Sequence, residues 1–343
     1  MNNILKEDFT RILSEYDFSE LKDKSIFITG ATGLIGSQLL RFLHYLNQNY
    51  GYKMELYALV RDKEKVVKFF GNELMDNSIH FVYGDVLSLP QIDAGIDYII
   101  HGASITASKQ FIEKAVETID IAVNGTLNLL RFAKEKKVTS FVYLSSMEAF
   151  GVTDGKGVVR EEDLGYIDIS NPRSSYMESK RMCENLCVCF AHEYGLNTKC
   201  IRLTQTLGAG IDYNDTRVAA YFARSVLEGS DIVLKTEGKS KRPILYSADA
   251  ITAILTVLLK GKFGNIYTAA NPQTFATIRE TAEMVAGKIA EGKIKVVFDI
   301  DVPAEYAPNL NLNLNVDKLC SLGWKPVVGL EDSYRRMIAG MRG

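Results

Sequence analysis

Tyr176 and Lys180 stand four residues apart in SSYMESKRMCENLCVCFAHEYG, a stretch with helical spacing that closes at Gly195. Residues four apart share one face of a helix, so a phenol and an ammonium meet there. A tyrosine at its usual pKa of about 10 is a poor base at neutral pH, and a neighbouring positive charge favours the phenolate and lowers that pKa. The pair is therefore suited to trade a proton with an alcohol or sugar hydroxyl. Ser175 and Glu178 have the spacing of a capping box that would open this helix. Upstream, the run SFVYLSS ends at Ser146, whose hydroxyl can hold the same substrate oxygen, and Met147 and Glu148 follow it. A lone Tyr-x-x-x-Lys is common on solvent-facing helices. It acquires meaning from Ser146 before it and from a glycine turn near the start of the chain.

That turn is SIFITGATGLIGSQLL, in which Gly30, Gly33 and Gly36 separate a strand-like run from a helical one. Gly30 can take turn dihedrals that a side chain forbids. Gly33 lets the backbone approach a diphosphate, and Gly36 lets the helix sit tightly on the strand. With Thr32, Leu34 and Ile35 they form the opening of a helix whose N–H groups and partial positive charge favour an anion. Placed after the first strand of an alternating α/β pattern, the motif predicts a dinucleotide-binding site. Further contacts are expected at strand ends: Asp85 and Val86 in YGDV after the third strand, and Gly102, Ala103 and Ser104 in HGAS after the fourth.

The form of the dinucleotide stays open. An acidic residue ending the second strand would bind the ribose 2′-hydroxyl of NAD, and an arginine could receive the 2′-phosphate of NADP. The chain reads ALVRDKEK there, with Arg61 followed by Asp62. Arg61 is either a cofactor contact or half of a solvated pair with Asp62.

The elements that must position these residues follow from periodicity. SIFIT, MELYALV, IHFVYG, IDYIIHGA, SFVYLSS and TKCIRLTQ are short apolar runs alternating with longer helical patterns. Strands apolar on both faces suit a parallel sheet covered by helices on each side, so the expected fold is α/β, a Rossmann-type doubly wound sheet. Residues 1–206 would form an N-terminal helix plus this domain, with YSADAITAILTVLL in a return segment at about 244–260. Residues 207–343 would form mainly a smaller substrate-binding domain.

Composition narrows the class. In 343 residues, 40 Lys and Arg balance 42 Asp and Glu, so no global basic excess recruits nucleic acid or an anionic membrane. No stretch approaches the roughly 18 apolar residues of a membrane helix, and the first residues lack a signal pattern, so a cytoplasmic protein is expected. Five cysteines without paired C-x-x-C spacing are expected to be reduced, packed thiols rather than metal ligands.

TGATGLIG, HGAS, YLSSMEAFG, SSYMESK, IRLTQTLGAG and LGWKPVVGLEDSYRRMI together resemble the extended short-chain dehydrogenase/reductases, the nucleotide-sugar epimerase, dehydratase and decarboxylase group, over nearly the whole chain. The resemblance implies a nicotinamide cofactor, NAD or NADP, that takes hydride from a sugar carbon, usually C4, and a nucleotide-sugar substrate. Tyr176 would be the base, Lys180 would hold the ribose and depress the tyrosine pKa, and Ser146 would bind the reacting oxygen. Dehydratases of the group carry Asp-Glu after this serine. Here Met147 cannot donate a proton, while Glu148 is retained as in the sugar-acid decarboxylases. Arg217 of NDTRV and Arg242 of GKSKRPILYSADA would grip the diphosphate, with Met147 and Gln205 also lining the substrate. The chain departs from the group at Phe150, Gln205 and Ala122, and YAPNLNLNLNVDK stands where an arginine is usual. The expected activity is a lyase or isomerase that recycles its cofactor, working as a homodimer. A carbonyl reductase consuming NADPH and a cofactor-binding sensor without turnover are the alternatives.

Overall fold

A computed structural model describes residues 3–71, 78–153, 157–300 and 310–342. Along the chain the strands are β1 (Ser25–Thr29), β2 (Glu55–Val60), β3 (Ile79–Tyr83), β4 (Tyr98–His101), β5 (Ser140–Ser146), β6 (Thr198–Leu203), β7 (Gln205–Leu207), β8 (Ile232–Leu234), β9 (Lys241–Arg242), β10 (Ile244–Tyr246), β11 (Ile266–Ala269), β12 (Ala276–Thr277) and β13 (Val296–Phe298). The helices are α1 (Asn3–Glu15), α2 (Leu34–Tyr50), α3 (Lys63–Phe70), α4 (Gln110–Glu113), α5 (Ala115–Lys136), α6 (Ser174–Tyr194), α7 (Val218–Glu228), α8 (Ser247–Lys260), α9 (Ile278–Met284), α10 (Asp317–Cys320) and α11 (Leu330–Arg342).

Seven strands form one sheet in the order β11-β6-β5-β4-β1-β2-β3, with every pairing parallel. The order reverses between β1 and β4, and at such a switch point the strand ends leave a crevice for ligand. Alternation within each strand feeds two cores. Ile26, Ile28, Val142 and Leu144 pack with α1, α2, α8 and α11 on one face. Phe27, Phe141 and Tyr143 pack with α5 and α6 on the other. Each fully buried large apolar side chain contributes about 1.5–3 kcal/mol, which explains why these strands read as continuous apolar runs.

The segment YSADAITAILTVLL returns to the sheet as a helix: α8 lies against β5 and β6. The strand that joins the sheet comes after it, at β11, beside β6. Outside the main sheet, β7 pairs with β10, β9 with β12 and β8 with β13. The first of these pairs carries the chain from the end of β6 toward Arg242.

One polar cluster is enclosed in this apolar frame. Arg202 of β6 and Glu184 of α6 are 2% and 4% exposed and form a two-pronged ion pair, Nε–Oε1 at 2.8 Å and Nη2–Oε2 at 2.7 Å. Ser145 Oγ donates to Glu184 Oε1 at 2.5 Å, and Arg202 Nη1 donates to the Glu161 carbonyl at 2.8 Å. The guanidinium also lies 4.5 Å from the centroid of Phe150. Glu184 is one turn beyond Lys180 on α6, so the cluster fixes the helix that carries the tyrosine and lysine.

Candidate active site

The turn after β1 needs glycine at two positions for steric reasons. Gly30 has φ +72°, and a Cβ there would lie 2.6 Å from the Gly102 carbonyl carbon. At Gly36 a Cβ would lie 2.2 Å from the Gly30 carbonyl oxygen, so the first turn of α2 can press on the turn only without a side chain. Gly33 is exposed, and a Cβ there would meet Gly30 O at 3.3 Å and otherwise point into open space. Gly33 is also the N-cap of α2, with no capping side chain and no acidic residue in the first turn, which includes Leu34 and Ile35. A cradle of bare backbone at an uncapped helix start fits the diphosphate of a dinucleotide. On the facing loop, the N–H groups of Gly102 and Ala103 donate to Thr29 O (3.1 Å) and Thr29 Oγ1 (3.2 Å). His101 anchors that loop from below: its two ring nitrogens meet Thr29 Oγ1 at 2.7 Å and Thr126 Oγ1 at 3.1 Å. Burial pushes its pKa down to about 3, so it stays neutral. Ser104 Oγ turns to the Ile105 carbonyl, and Val86 is buried against Gly125.

Ser146, Tyr176 and Lys180 come together at the C-terminal end of β5. Ser146 Oγ accepts the N–H of Glu148 at 3.2 Å and hydrogen-bonds the Tyr176 hydroxyl. Lys180 is 3% exposed, donates to the Leu144 carbonyl at 2.9 Å, and lies 5.5 Å from the Tyr176 ring centroid. Burial pushes its pKa down to about 8. Tyr176 is stacked on Phe111, with ring centroids 4.2 Å apart and planes 9° apart.

Two local expectations are corrected here. The expected lowering of the Tyr176 pKa is reversed: burial and then the Glu148 carboxylate push it well up, outweighing the Ser146 hydrogen bond and the Arg217 and Arg173 charges. The capping box of Ser175 and Glu178 does not form. The N-cap is Arg173, Ser175 Oγ instead donates to the Phe111 carbonyl at 2.9 Å, and Glu178 pairs with Arg181. The serine that could cap the helix thus holds α4, whose Phe111 covers the tyrosine.

Glu148 faces this site in the short helical turn after Ser146 and is paired with Arg173, Nη1 to Oε2 at 3.3 Å. Met147 is buried and its sulfur accepts the Thr204 hydroxyl at 3.1 Å. Arg242 is held by Gln205, Nε to Oε1 at 3.2 Å, and its electrostatic surroundings include Glu148, Tyr334 and Arg173. Arg217 grips Asp215 with two prongs, the closest contact 2.7 Å, while its charge reaches Tyr176. Arg61 and Asp62 do not pair: Arg61 Nη1 stands 3.7 Å from Asp85 Oδ2, and Asp62 caps α3. Asp85 also accepts the Leu87 N–H at 2.9 Å. Tyr306 to Asn309, part of the YAPNLNLNLNVDK stretch, lie outside the described residues.

Arg173 and Phe111 are functional candidates that motif spacing did not raise. Arg173 precedes Tyr176 by three on the same helix, a spacing that could have flagged it. Phe111 carries no local signal, because its contact is long-range.

The sequence pattern of the NAD dependent epimerase/dehydratase family matches residues 26–270, from the first strand through the last strand of the main sheet. The chain belongs to this family. Within it, the chain is 26% identical over 338 residues to UDP-glucuronic acid decarboxylase 1 of Danio rerio, covering 97% of this chain and 77% of the relative. It is 28% identical over 317 residues to UDP-glucuronic acid decarboxylase 3 of Arabidopsis thaliana, covering 91% and 87%. An epimerase structure from Methanothermobacter thermautotrophicus shares the fold with a TM-score of 0.79 at 20% identity, covering 97% and 96%. Family membership makes the nicotinamide dinucleotide the resident cofactor, in agreement with the glycine cradle. Among the described residues no helix is long and apolar enough to cross a membrane.

Proposed function

We propose that the protein converts a nucleotide sugar by transient oxidation at C4, with decarboxylation or C5 epimerisation as the outcome. The observation that carries this reading is Glu148, held by Arg173 and electrostatically coupled to Tyr176, with Met147 in the adjoining position. When bound, the dinucleotide supplies a hydride acceptor that later returns the hydride. Tyr176, which burial keeps protonated in the free chain, exchanges its proton with the C4 hydroxyl, Ser146 hydrogen-bonds the same oxygen, and the Lys180 ammonium, 5.5 Å from the tyrosine ring centroid, opposes the effect of burial. A C4 ketone turns a sugar C6 acid into a β-keto acid. The C5–C6 bond then breaks, CO2 leaves, and the electron pair stays as an enolate to be reprotonated at C5. Glu148 is the carboxylate available to steer that proton or to remove one in an epimerisation. Met147 has no proton to expel a C6 hydroxyl, which disfavours dehydration. Arg242 with Gln205, and Arg217 after exchange from Asp215, hold the diphosphate. The sugar sits between the sheet edge and the elements contributed by residues 207–343.

Similarity to UDP-glucuronic acid decarboxylases makes UDP-glucuronic acid the first substrate to test. Release of CO2 and formation of a UDP-pentose are expected, with Glu148→Gln slower by on the order of 100-fold. Wild-type rates in Glu148→Gln would remove that residue from the mechanism. Conversion of UDP-sugars without an acid group, and not of UDP-glucuronic acid, would move the assignment to epimerisation.

A second copy of the chain is the proposed protein partner. Val116 (81% exposed) and Ile119 (45%) on α5, and Met182 (51%) on α6, leave apolar surface on two helices packed side by side. The cysteines are all unpaired, in keeping with the reducing cytoplasm proposed as its compartment.

A further inference from the structure

The corner between β2 and α3 decides what can lie against the adenosine ribose. β2 ends at Val60, which is buried, so the place where a carboxylate would accept from a ribose 2′-hydroxyl holds an apolar side chain. The carboxylate nearest in sequence has one of its oxygens committed elsewhere. Asp62 Oδ1 accepts the N–H of Glu64 at 2.8 Å and of Lys65 at 3.2 Å, closing the start of α3. Arg61, by contrast, is 69% exposed, and its one ion pair in the described structure, to Asp85, spans 3.7 Å, beyond a good hydrogen bond. Thr32 of the glycine turn, Arg61, Asp62 and Lys65 line a single cleft of about 240 Å³. A hydroxyl, a guanidinium and an ammonium, with the capping carboxylate of Asp62 beside them, thus converge next to the turn that fits the diphosphate.

We propose that Arg61 and Lys65, with Thr32, form a receptor for the 2′-phosphate of NADP(H), and that the chain prefers the phosphorylated dinucleotide over NAD(H). A guanidinium meets a phosphate with two parallel charge-assisted hydrogen bonds, and Lys65 adds a point charge from the first turn of α3. Asp85 restrains Arg61 loosely enough to yield to a dianion. The unphosphorylated ribose gains neither of these charge-assisted contacts. The inference rests on the glycine turn as a dinucleotide site and is independent of which sugar is transformed.

Calorimetric titration of the full chain with NADP+ and NAD+ tests it without reference to turnover. NADP+ is expected to bind at least about tenfold tighter, as one or two charge-assisted hydrogen bonds imply. Arg61→Ala should weaken NADP+ at least about tenfold and leave NAD+ within about threefold. Adding Lys65→Ala should erase the remaining preference. Adenosine 2′,5′-bisphosphate should raise the melting temperature more than 5′-AMP, by mass action on the native state. The preference should shrink with added salt, because the cleft is exposed and its charges are screened. Equal or tighter binding of NAD+, or an Arg61→Ala loss shared equally by both cofactors, overturns the proposal while leaving the dinucleotide site standing. Binding of neither cofactor overturns both.

Discussion

Replacing Tyr176 by Phe is expected to lower turnover by on the order of 100-fold or more while the affinity for cofactor stays nearly intact. The phenylalanine keeps the stack on Phe111, so the helix and its neighbours have no reason to move. It removes the hydroxyl that Ser146 contacts, and with it the proton acceptor. The same site predicts an alkaline limb in the pH profile. Lys180 titrates at about 8 in the folded chain, below a free lysine, because burial disfavours its charge. Below that pH it is an ammonium whose charge, 5.5 Å from the Tyr176 ring centroid, opposes the rise that burial imposes on the tyrosine; as pH rises through about 8 that charge is lost and turnover should fall. Wild-type rates in Tyr176→Phe, measured as kcat alongside calorimetric cofactor binding, would take the residue out of the mechanism.

Arg202→Met is expected to destabilise the fold by about 3–5 kcal/mol, because it strands the Glu184 carboxylate in a site that is 4% exposed. The double replacement Arg202→Met with Glu184→Met should recover much of that loss, since a buried ion pair and a well-packed apolar pair of similar volume are often of comparable stability. Urea midpoints of wild type, single and double variants check this. A single variant as stable as wild type would show that water reaches Glu184 and that the pair is not enclosed. The double variant should also report on function, because Glu184 lies one turn from Lys180 and α6 is anchored to β5 and β6 through this pair.

Local patterns explain what could be read from the chain before its structure. Ile26, Phe27 and Ile28 alternate between two cores, so SIFIT reads as a strand whichever neighbours it acquires. Gly30 and Gly36 are fixed by backbone contacts within or beside one turn, and Tyr176 and Lys180 by helical spacing. The misreadings all involve side chains choosing distant partners. Ser175 had a local capping partner in Glu178, but the buried carbonyl of Phe111 needed a donor, and satisfying it outweighed the cap. Arg61 had Asp62 beside it, yet two N–H groups in the first turn of α3, those of Glu64 and Lys65, claim that carboxylate, and Arg61 reaches across to Asp85. The direction of the Tyr176 pKa depends on burial, to which Phe111 contributes, and on Glu148, which arrive from two other segments, a sum that helical spacing alone does not contain. The strand β11 escaped notice because it is four residues long and follows a helix that already accounts for the apolar run before it.

In the proposed reaction the redox step is internal and the cofactor is recycled. The direct measurement follows the near-ultraviolet absorbance of reduced nicotinamide while a catalytic amount of protein converts UDP-glucuronic acid in the presence of oxidised cofactor. Many product molecules per protein with no net change in that absorbance is the result predicted here. Product formed only when reduced cofactor is supplied, with one reduced cofactor consumed for each product molecule, would contradict it and establish a reductase.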